Sequence, residues 1–294
     1  MIGKMRKTRE VRNGMNCNKE AEQATREPIT RSKLRAFAGM KYYSMRRKFL
    51  WLEMNRYFAN EKAANDLDFK CFSYRTPLLR QLKDVDMQLQ YNKINNIKIA
   101  VECLDGILIK PGEVFSYWKL IGKPCRKKGY IEGMVLNGGK VCTGVGGGLC
   151  QLSNLIFWMA LHTPLTVVER HRHGYDVFPD AHRTQPFGTG ATCYYPHGDL
   201  MIQNNTQDTY QLRVRVGEEF LRGEFRCSRE TEFQYEIIER NHFMRGEYWG
   251  GYSRHNEIFR KVFDKSGQLL AEEFLFKNAA LMMYSPFIDS KHQL

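Results

Sequence analysis

The 294-residue sequence predicts an α+β fold, in which a basic, mostly helical N-terminal region precedes a mixed domain built on an antiparallel sheet. Three patterns indicate this fold. Apolar residues recur at helical spacing among many Arg and Lys between residues 32 and 65, and a glycine-rich loop after residue 144 leads into a buried helix. Short β-branched runs separated by turn residues then dominate the second half of the chain.

Positive charge is concentrated at the N-terminus. The net charge is +13, and residues 1–48 hold 14 Lys and Arg against 4 Glu, so that the other 246 residues carry only +3. Residues 1–30 show no hydrophobic period, and we interpret them as a flexible basic leader. A solvated tail is the simplest interpretation of the basic segment. Contact with a membrane surface or another polyanion is the alternative, and no specific nucleic-acid binding is expected.

A helical basic region is predicted for residues 31–90. Its pattern between residues 32 and 65 is helical, with aromatic residues such as Phe37 and Phe49 among the basic ones. Two arrangements fit this pattern. One is an amphipathic helix lying on a membrane, and the other, which we prefer, is a helix packed on the main domain through its aromatic side chains.

A core domain is predicted for residues 91–216. The Thr76-Pro77 pair opens a short helix ahead of it, and a second helix covers residues 92–104. An Asn-Gly pair between two apolar runs predicts a hairpin at residues 137–139. The predicted strands are residues 107–109, 165–169, 191–195, 200–203 and 210–216.

A β-rich C-terminal extension is predicted for residues 217–294 and is expected to pack on the core domain. Its strands are predicted at residues 220–226 and 233–239. A final hairpin is predicted between residues 258–264 and 269–276, with its turn at residues 264–267.

The glycine-rich loop contains the strongest candidate for chemistry. Gly146, Gly147 and Gly148 allow backbone to approach a ligand closely, and Cys150 follows in the first turn of the predicted helix. Unpaired N–H groups and the positive end of the helix dipole favour a thiolate there. The competing interpretation, which we weigh equally, is that Cys150 is a small buried packing residue.

Two histidines lie where a base for this thiol is needed. His171 and His173 follow the predicted strand after the helix, and they face the same side if that strand extends through them. Asp176 or Asp180 is then placed to orient an imidazole. A surface or core-edge role is the alternative for each histidine.

Several other classes of protein are disfavoured. The eight cysteines contain no C-x-x-C pair, and a metal site from Cys142, Cys150 and His173 has no recognised ligand spacing, so no metal is expected. The glycines match neither the dinucleotide nor the P-loop pattern. No secretory signal or membrane-spanning segment is predicted, which leaves a cytoplasmic or membrane-peripheral location as the expectation.

Four segments of the sequence resemble those of a known family. Lys110-Pro-Gly-Glu-Val-Phe-Ser-Tyr117, Lys128-Gly-Tyr130, Gly144-Val-Gly-Gly-Gly-Leu-Cys-Gln-Leu-Ser153 and Glu169-Arg-His-Arg-His173 resemble the VanW family over roughly residues 90 to 216. Members occur in some glycopeptide-resistance gene clusters and in Gram-positive cell-wall proteins. Some are understood to be cysteine-dependent L,D-transpeptidases that crosslink peptidoglycan stem peptides.

The resemblance implies roles for particular residues. Cys150 would be the nucleophile, His173 the first choice of base and His171 the second. Substrate binding would involve Gly146, Gly147, Gly148, Gln151 and Ser153, with Arg170 or Arg183 holding a carboxylate. No cofactor is required for this chemistry. The alternative function is a non-catalytic accessory protein that binds cell-wall precursors, with Cys150 serving only in packing.

Overall fold

A computed structural model describes residues 32–79, 86–137, 140–177 and 184–285. Within these ranges the α-helices are α1 (Lys33–Glu53), α2 (Met87–Leu104), α3 (Tyr117–Ile121) and α4 (Cys150–Leu161). The strands are β1 (Phe69–Pro77), β2 (Ile107–Ile109), β3 (Val114–Ser116), β4 (Glu132–Asn137), β5 (Lys140–Val145), β6 (Thr166–Glu169), β7 (Tyr175–Asp176), β8 (Met201–Gln203), β9 (Tyr210–Val216), β10 (Phe220–Cys227), β11 (Phe233–Gly246), β12 (Tyr252–Asp264) and β13 (Leu269–Met282).

The described strands form four sheets that are almost entirely antiparallel. Two have four strands, in the orders β1-β10-β9-β2 and β11-β12-β13-β7, and a third has the order β3-β8-β6. The hairpin of β4 and β5 forms the fourth, and only the short β7 pairs in parallel, with β13. The predicted α+β fold is confirmed.

Helix α4 lies at the centre of the core. Nine of its twelve residues are buried, including the predicted stripe of Leu152, Leu155, Ile156 and Met159. Each large apolar side chain buried in this way contributes about 1.5–3 kcal/mol to the free energy of folding. The predicted glycine loop and buried helix therefore form as expected, and the helix ends just before Thr163-Pro164.

Helix α1 is far more exposed. Of its 21 residues only Arg47 is buried. The C-terminal half contacts the rest of the protein, with the Trp51 ring 6.1 Å from that of Tyr195 and partly buried Leu50 packed in the same region. Packing on the main domain therefore accounts for one side of this helix.

The predicted helix at Thr76-Pro77 is wrong in the described part. Both residues end strand β1, where they pair with Leu221 and Phe220 of β10. Pro77 is tolerated because β1 is an edge strand, where a missing N–H need not break the sheet. The continuation of this predicted helix, residues 80–82, lies outside the described residues.

Two predicted strands differ from the structure near the candidate site. Strand β6 ends at Glu169, and residues 170–173 have no regular structure, so strand alternation does not govern the two histidines. Residues 191–195 form only an isolated bridge between Tyr194 and Gly198. The two irregular segments instead contact each other, since Thr192 donates its N–H to the carbonyl of His171 at 2.8 Å.

The other predicted elements are confirmed with shifted ends. The helix predicted at residues 92–104 is α2, the hairpin around residues 137–139 is β4 and β5, and the C-terminal strands extend to 13 or 14 residues each. Strand β10 pairs with β9, so the first sheet contains strands from both sides of residue 216, where the predicted core domain ends. No helix of the described residues has both the length and the hydropathy needed to cross a bilayer.

Candidate functional site

The glycine-rich loop is packed tightly against the protein itself. A Cβ on Gly147 would lie 2.2 Å from the backbone of Gly133, and one on Gly148, whose φ is +90°, would lie 2.1 Å from Cγ of Lys93. The close approach that these glycines allow is therefore used by strand β4 and helix α2. Their predicted role in substrate approach stays a prediction.

Asn96 of helix α2 fixes the loop in place. Its side-chain amide donates to the carbonyls of Ile131 and Gly147 at 3.0 and 2.9 Å, and its side-chain oxygen accepts from the N–H of Ile131 at 2.9 Å. Because Asn96 is fully buried, losing any of these hydrogen bonds would leave a polar group unsatisfied. The loop that leads into α4 is thus held by Asn96, which is 51 positions away from Gly147 in the sequence.

Cys150 is the first residue of α4, but its surroundings do not favour a thiolate. The residue is half-buried, and its Sγ donates to the carbonyl of Cys193 at a distance of 3.7 Å. Burial raises the pKa of the Cys150 thiol, and the hydrogen bonds that oppose this effect are weaker. The expected thiolate stabilisation at the helix start is therefore outweighed by desolvation.

Gln151 and Ser153 make contacts within the chain. Ser153 is fully buried and donates to the carbonyl of Ala191 at 2.6 Å, which holds the irregular segment against α4. Gln151 donates its side-chain amide to Thr76 and Pro77 at the end of β1. The structure thus gives both residues a positioning role.

His171 forms a chain of polar contacts with two residues that sequence analysis did not single out. Its Nε2 lies 2.9 Å from a carboxylate oxygen of Glu169, and its Nδ1 lies 3.3 Å from the hydroxyl of Tyr194. When Nε2 donates to Glu169, Nδ1 is left to accept from Tyr194. The carboxylate that contacts this imidazole is that of Glu169, and the orienting role expected of Asp176 or Asp180 stays a prediction for His173.

Glu169 is itself held by a buried cation. The side chain of Arg47 from α1 pairs with Glu169 and also donates to the carbonyl of His197 at 2.9 Å. Burial opposes ionisation of Glu169, but hydrogen bonds from His171 and Arg47 outweigh it and hold its pKa below the usual range. Glu169 is therefore an anion that fixes both α1 and the imidazole.

Asp199 lies beside this cluster and carries an unusual pKa. It accepts hydrogen bonds from Ser116 at 2.5 Å and from the N–H of Trp118 at 2.9 Å. Burial raises the pKa of Asp199 to about 7, despite these hydrogen bonds. The N–H of Asp199 also donates to Glu169 at 3.2 Å, so the two acids belong to one network.

The other predicted site residues have different surroundings or lie outside the described residues. Burial lowers the pKa of His173. Asp176 is buried in β7, where it pairs with Arg254 at 3.5 Å and accepts from the hydroxyl of Tyr284. Arg170 donates to the carbonyls of Gly188 and Gly190, so it positions a loop. Arg183 and Asp180 lie outside the described residues.

Two hydrogen bonds that involve backbone groups connect the surroundings of Cys150 and His171. The carbonyl of Cys193 accepts from the thiol, and the N–H of the preceding Thr192 donates to the carbonyl of His171. Across the residues that the structure describes, neither His171 nor His173 forms a hydrogen bond between its ring and the Cys150 sulfur. The two halves of the predicted catalytic pair are therefore neighbours but not partners.

A row of aromatic and imidazole rings leads from the cluster to α1. The ring centroids of His171 and Tyr194 are 5.4 Å apart, those of Tyr194 and His197 are 4.9 Å apart, and Tyr43 stacks on His197 at 6.1 Å. Tyr42 then lies 5.3 Å from Tyr43. Tyr42, Tyr43 and Tyr194 are each exposed, so this aromatic row faces solvent. In the described ranges no three His, Cys, Asp or Glu side chains are arranged to hold a metal ion.

Sequence reasoning missed most of this cluster for identifiable reasons. Glu169 precedes His171 by only two residues, so this pair is local in the sequence and was detectable. Arg47 is 122 residues from Glu169, and Tyr194 is 23 residues from His171. No local pattern indicates such pairings.

The glycine loop, the helix that begins at Cys150 and the Glu169–His171 pair lie together in one mixed α+β core, and residues 92–226 match the family model described as VanW like protein. The chain belongs to the VanW family of vancomycin-resistance proteins.

Two relatives illustrate the range of this similarity. The chain is 32% identical over 229 residues to the Vancomycin B-type resistance protein VanW of Enterococcus faecalis (strain ATCC 700802 / V583), which covers 77% of this chain and 82% of that protein. It is 28% identical over 124 residues to the uncharacterized protein YoaR of Bacillus subtilis (strain 168), covering 42% of this chain and 39% of that protein. No solved structure matches the chain.

Proposed function

We propose that this protein acts in glycopeptide resistance by binding a cell-wall precursor, without covalent catalysis at Cys150. The observation that carries this proposal is the state of the thiol. It is half-buried, it donates to a backbone carbonyl, and its pKa is raised by burial, which favours the neutral thiol. A thiol nucleophile needs the opposite, a lowered pKa or a base within hydrogen-bond reach.

The exposed surface around His171 and Tyr194 is the binding site in this proposal. It combines the fixed carboxylate of Glu169, the imidazole of His171 and the exposed phenol ring of Tyr194. Polar groups of this kind suit the peptide part of a muramyl peptide, while ring faces suit the apolar faces of its sugars. The cluster is rigid because Arg47 and Asp199 also hold Glu169.

Binding of a UDP-linked muramyl pentapeptide, measured by isothermal titration calorimetry, tests the proposal. Cys150→Ser should bind as the wild type does. The double variant His171→Ala with Tyr194→Ala should bind at least about tenfold more weakly, since each lost hydrogen bond to a fixed partner costs on the order of 1 kcal/mol. Phe274→Ser, an exposed substitution on β13, serves as the control and should leave affinity unchanged.

A second candidate function is thiol-dependent acyl transfer to or from stem peptides. One observation favours it, the backbone link that places Cys150 and His171 on either side of Thr192 and Cys193. Incubation with a tetrapeptide-containing muropeptide, followed by mass spectrometry, decides between the two. An acyl adduct on Cys150 that is lost in Cys150→Ser would overturn the binding proposal, and so would an absence of precursor binding by the wild type.

A further inference from the structure

Helix α1 carries an apolar stripe on the side that faces away from the rest of the protein. We call it the outer stripe, and its members follow one another at intervals of three or four residues: Leu34, Ala38, Tyr42, Met45, Phe49 and Leu52. This spacing places them on one face of the helix. The five large side chains are 62% to 78% exposed, which is unusual for so many apolar residues in a row.

The opposite face of α1 is already occupied. Arg47 is buried against Glu169 and Trp51 packs near Tyr195, so this face is fixed to the body. Met45 and Phe49 each lie two residues from Arg47, which is about 200° around a helix. The outer stripe therefore faces away from the core that the described residues form.

Cations flank the outer stripe on both sides. Arg46 and Lys48 are one residue before and after Arg47, so they project from the two sides of the helix, and Arg35 and Lys41 extend the same rows. All four are exposed. No carboxylate of the described residues lies within ion-pair distance of them, and the only acidic residue of the helix is Glu53 at its end.

We propose that α1 is an interfacial helix that lies on the surface of an anionic lipid bilayer. The outer stripe enters the boundary between headgroups and acyl chains, and the flanking cations contact lipid phosphates. Charge complementarity selects this occupant. A second copy would bring identical rows of cations into contact and would be repelled.

This arrangement also sets the orientation of the molecule. Tyr42 belongs to both the outer stripe and the aromatic row that ends at His171. When α1 lies on a bilayer, the aromatic row therefore begins at the level of the lipid headgroups and leads away from it towards His171. The inference does not depend on the proposed precursor binding, because it rests on α1 alone.

Co-sedimentation of the full chain with lipid vesicles tests the proposal. Vesicles of equal parts phosphatidylcholine and phosphatidylglycerol should bind the wild type at least about tenfold more tightly than vesicles of phosphatidylcholine alone. The double variant Met45→Ser with Phe49→Ser should lose about tenfold or more of the binding to the anionic vesicles. Phe274→Ser removes an aromatic ring from β13 that is also more than half exposed, and it should bind as the wild type does.

The stripe variant keeps every cation, including those of residues 1–31, so it separates α1 from the basic leader. Unchanged binding of this variant would mean that the leader alone contacts lipid, and it would overturn the proposal. Equal wild-type binding to both kinds of vesicle would overturn it as well. A dimer in sedimentation velocity without lipid, lost in Phe49→Ser, would instead assign the stripe to a second copy. Far-ultraviolet circular dichroism checks that each variant is folded.

Discussion

Helices α1 and α4 are both rich in large apolar side chains, but they use them in opposite ways. Helix α4 buries nine of twelve residues, whereas α1 buries one of twenty-one, and that one is an arginine. The glycine loop brings the start of α4 against α2 and β4, while α1 is attached by an ion pair to Glu169. The apolar content of a helix alone therefore does not decide its burial. Neighbouring segments of the protein must also provide a surface that fits it.

The largest expected contrast comes from removing one leucine from each helix. Leu155→Ala in α4 should lower the free energy of unfolding by about 2–5 kcal/mol, because a fully buried side chain leaves a cavity. Leu52→Ala in α1 should change it by less than about 0.5 kcal/mol, because that side chain is largely exposed. Urea denaturation measures both values. Similar losses in the two variants would break the comparison.

A smaller contrast comes from the glycines of the two helical regions. Gly148→Ala should destabilise the protein by about 1–3 kcal/mol, since an alanine there is strained by its positive φ and overlaps Lys93. Gly39→Ala in α1 meets no atom within 4 Å and should be neutral or stabilising by up to about 1 kcal/mol. Thermal unfolding of the two variants provides the measurement. A stabilising effect of Gly148→Ala would show that the loop is not tightly packed.

The network that attaches α1 is expected to give a modest dependence on pH. The pKa of Asp199 is raised to about 7 in the folded protein, while an unfolded aspartate titrates near ~4. Between these values the folded protein holds a proton that the unfolded chain has released. The contribution of Asp199 to stability is therefore present at about pH 4 and is lost as pH rises towards 7, with a slope of at most about 1.4 kcal/mol per pH unit.

Asp199→Asn isolates this contribution. The two pKa values set the range of the measurement, which is urea denaturation between about pH 4 and 7. The slope of stability against pH should be more positive for the variant than for the wild type. Comparison of the two proteins is essential, because burial lowers the pKa of His173 and His197, whose effect on the slope has the opposite sign. Identical slopes would contradict the assignment to Asp199.

Local patterns predicted the parts of the fold that are determined locally. The glycine run before Cys150, the helix periodicity of residues 92–104 and the Asn-Gly pair at residue 137 each act over a few residues, and each gave the observed element. Pro77 misled the prediction because proline suits both a helix start and the end of an edge strand. Only its pairing with β10 decides between them.

The candidate site was less predictable because its partners are distant in sequence. Cys150 was found from its motif, but its hydrogen bond to the carbonyl of Cys193 and the desolvation that raises its pKa could not be read from that motif. Glu169 contacts the imidazole of His171, and it is fixed by Arg47 from a helix more than 100 residues earlier in the chain. These contacts arise when irregular segments pack together, which no periodicity describes.

The contact between Gly133 and Gly147 has a consequence for how the chain can change. Each glycine occupies the space that a Cβ on the other would need, so the first substitution would force the two backbones apart. A second substitution would then meet a gap that already exists, and its cost would be smaller than the first. We therefore expect the two positions to change together in evolution. Once one glycine has been replaced, the second is under weaker selection to remain glycine.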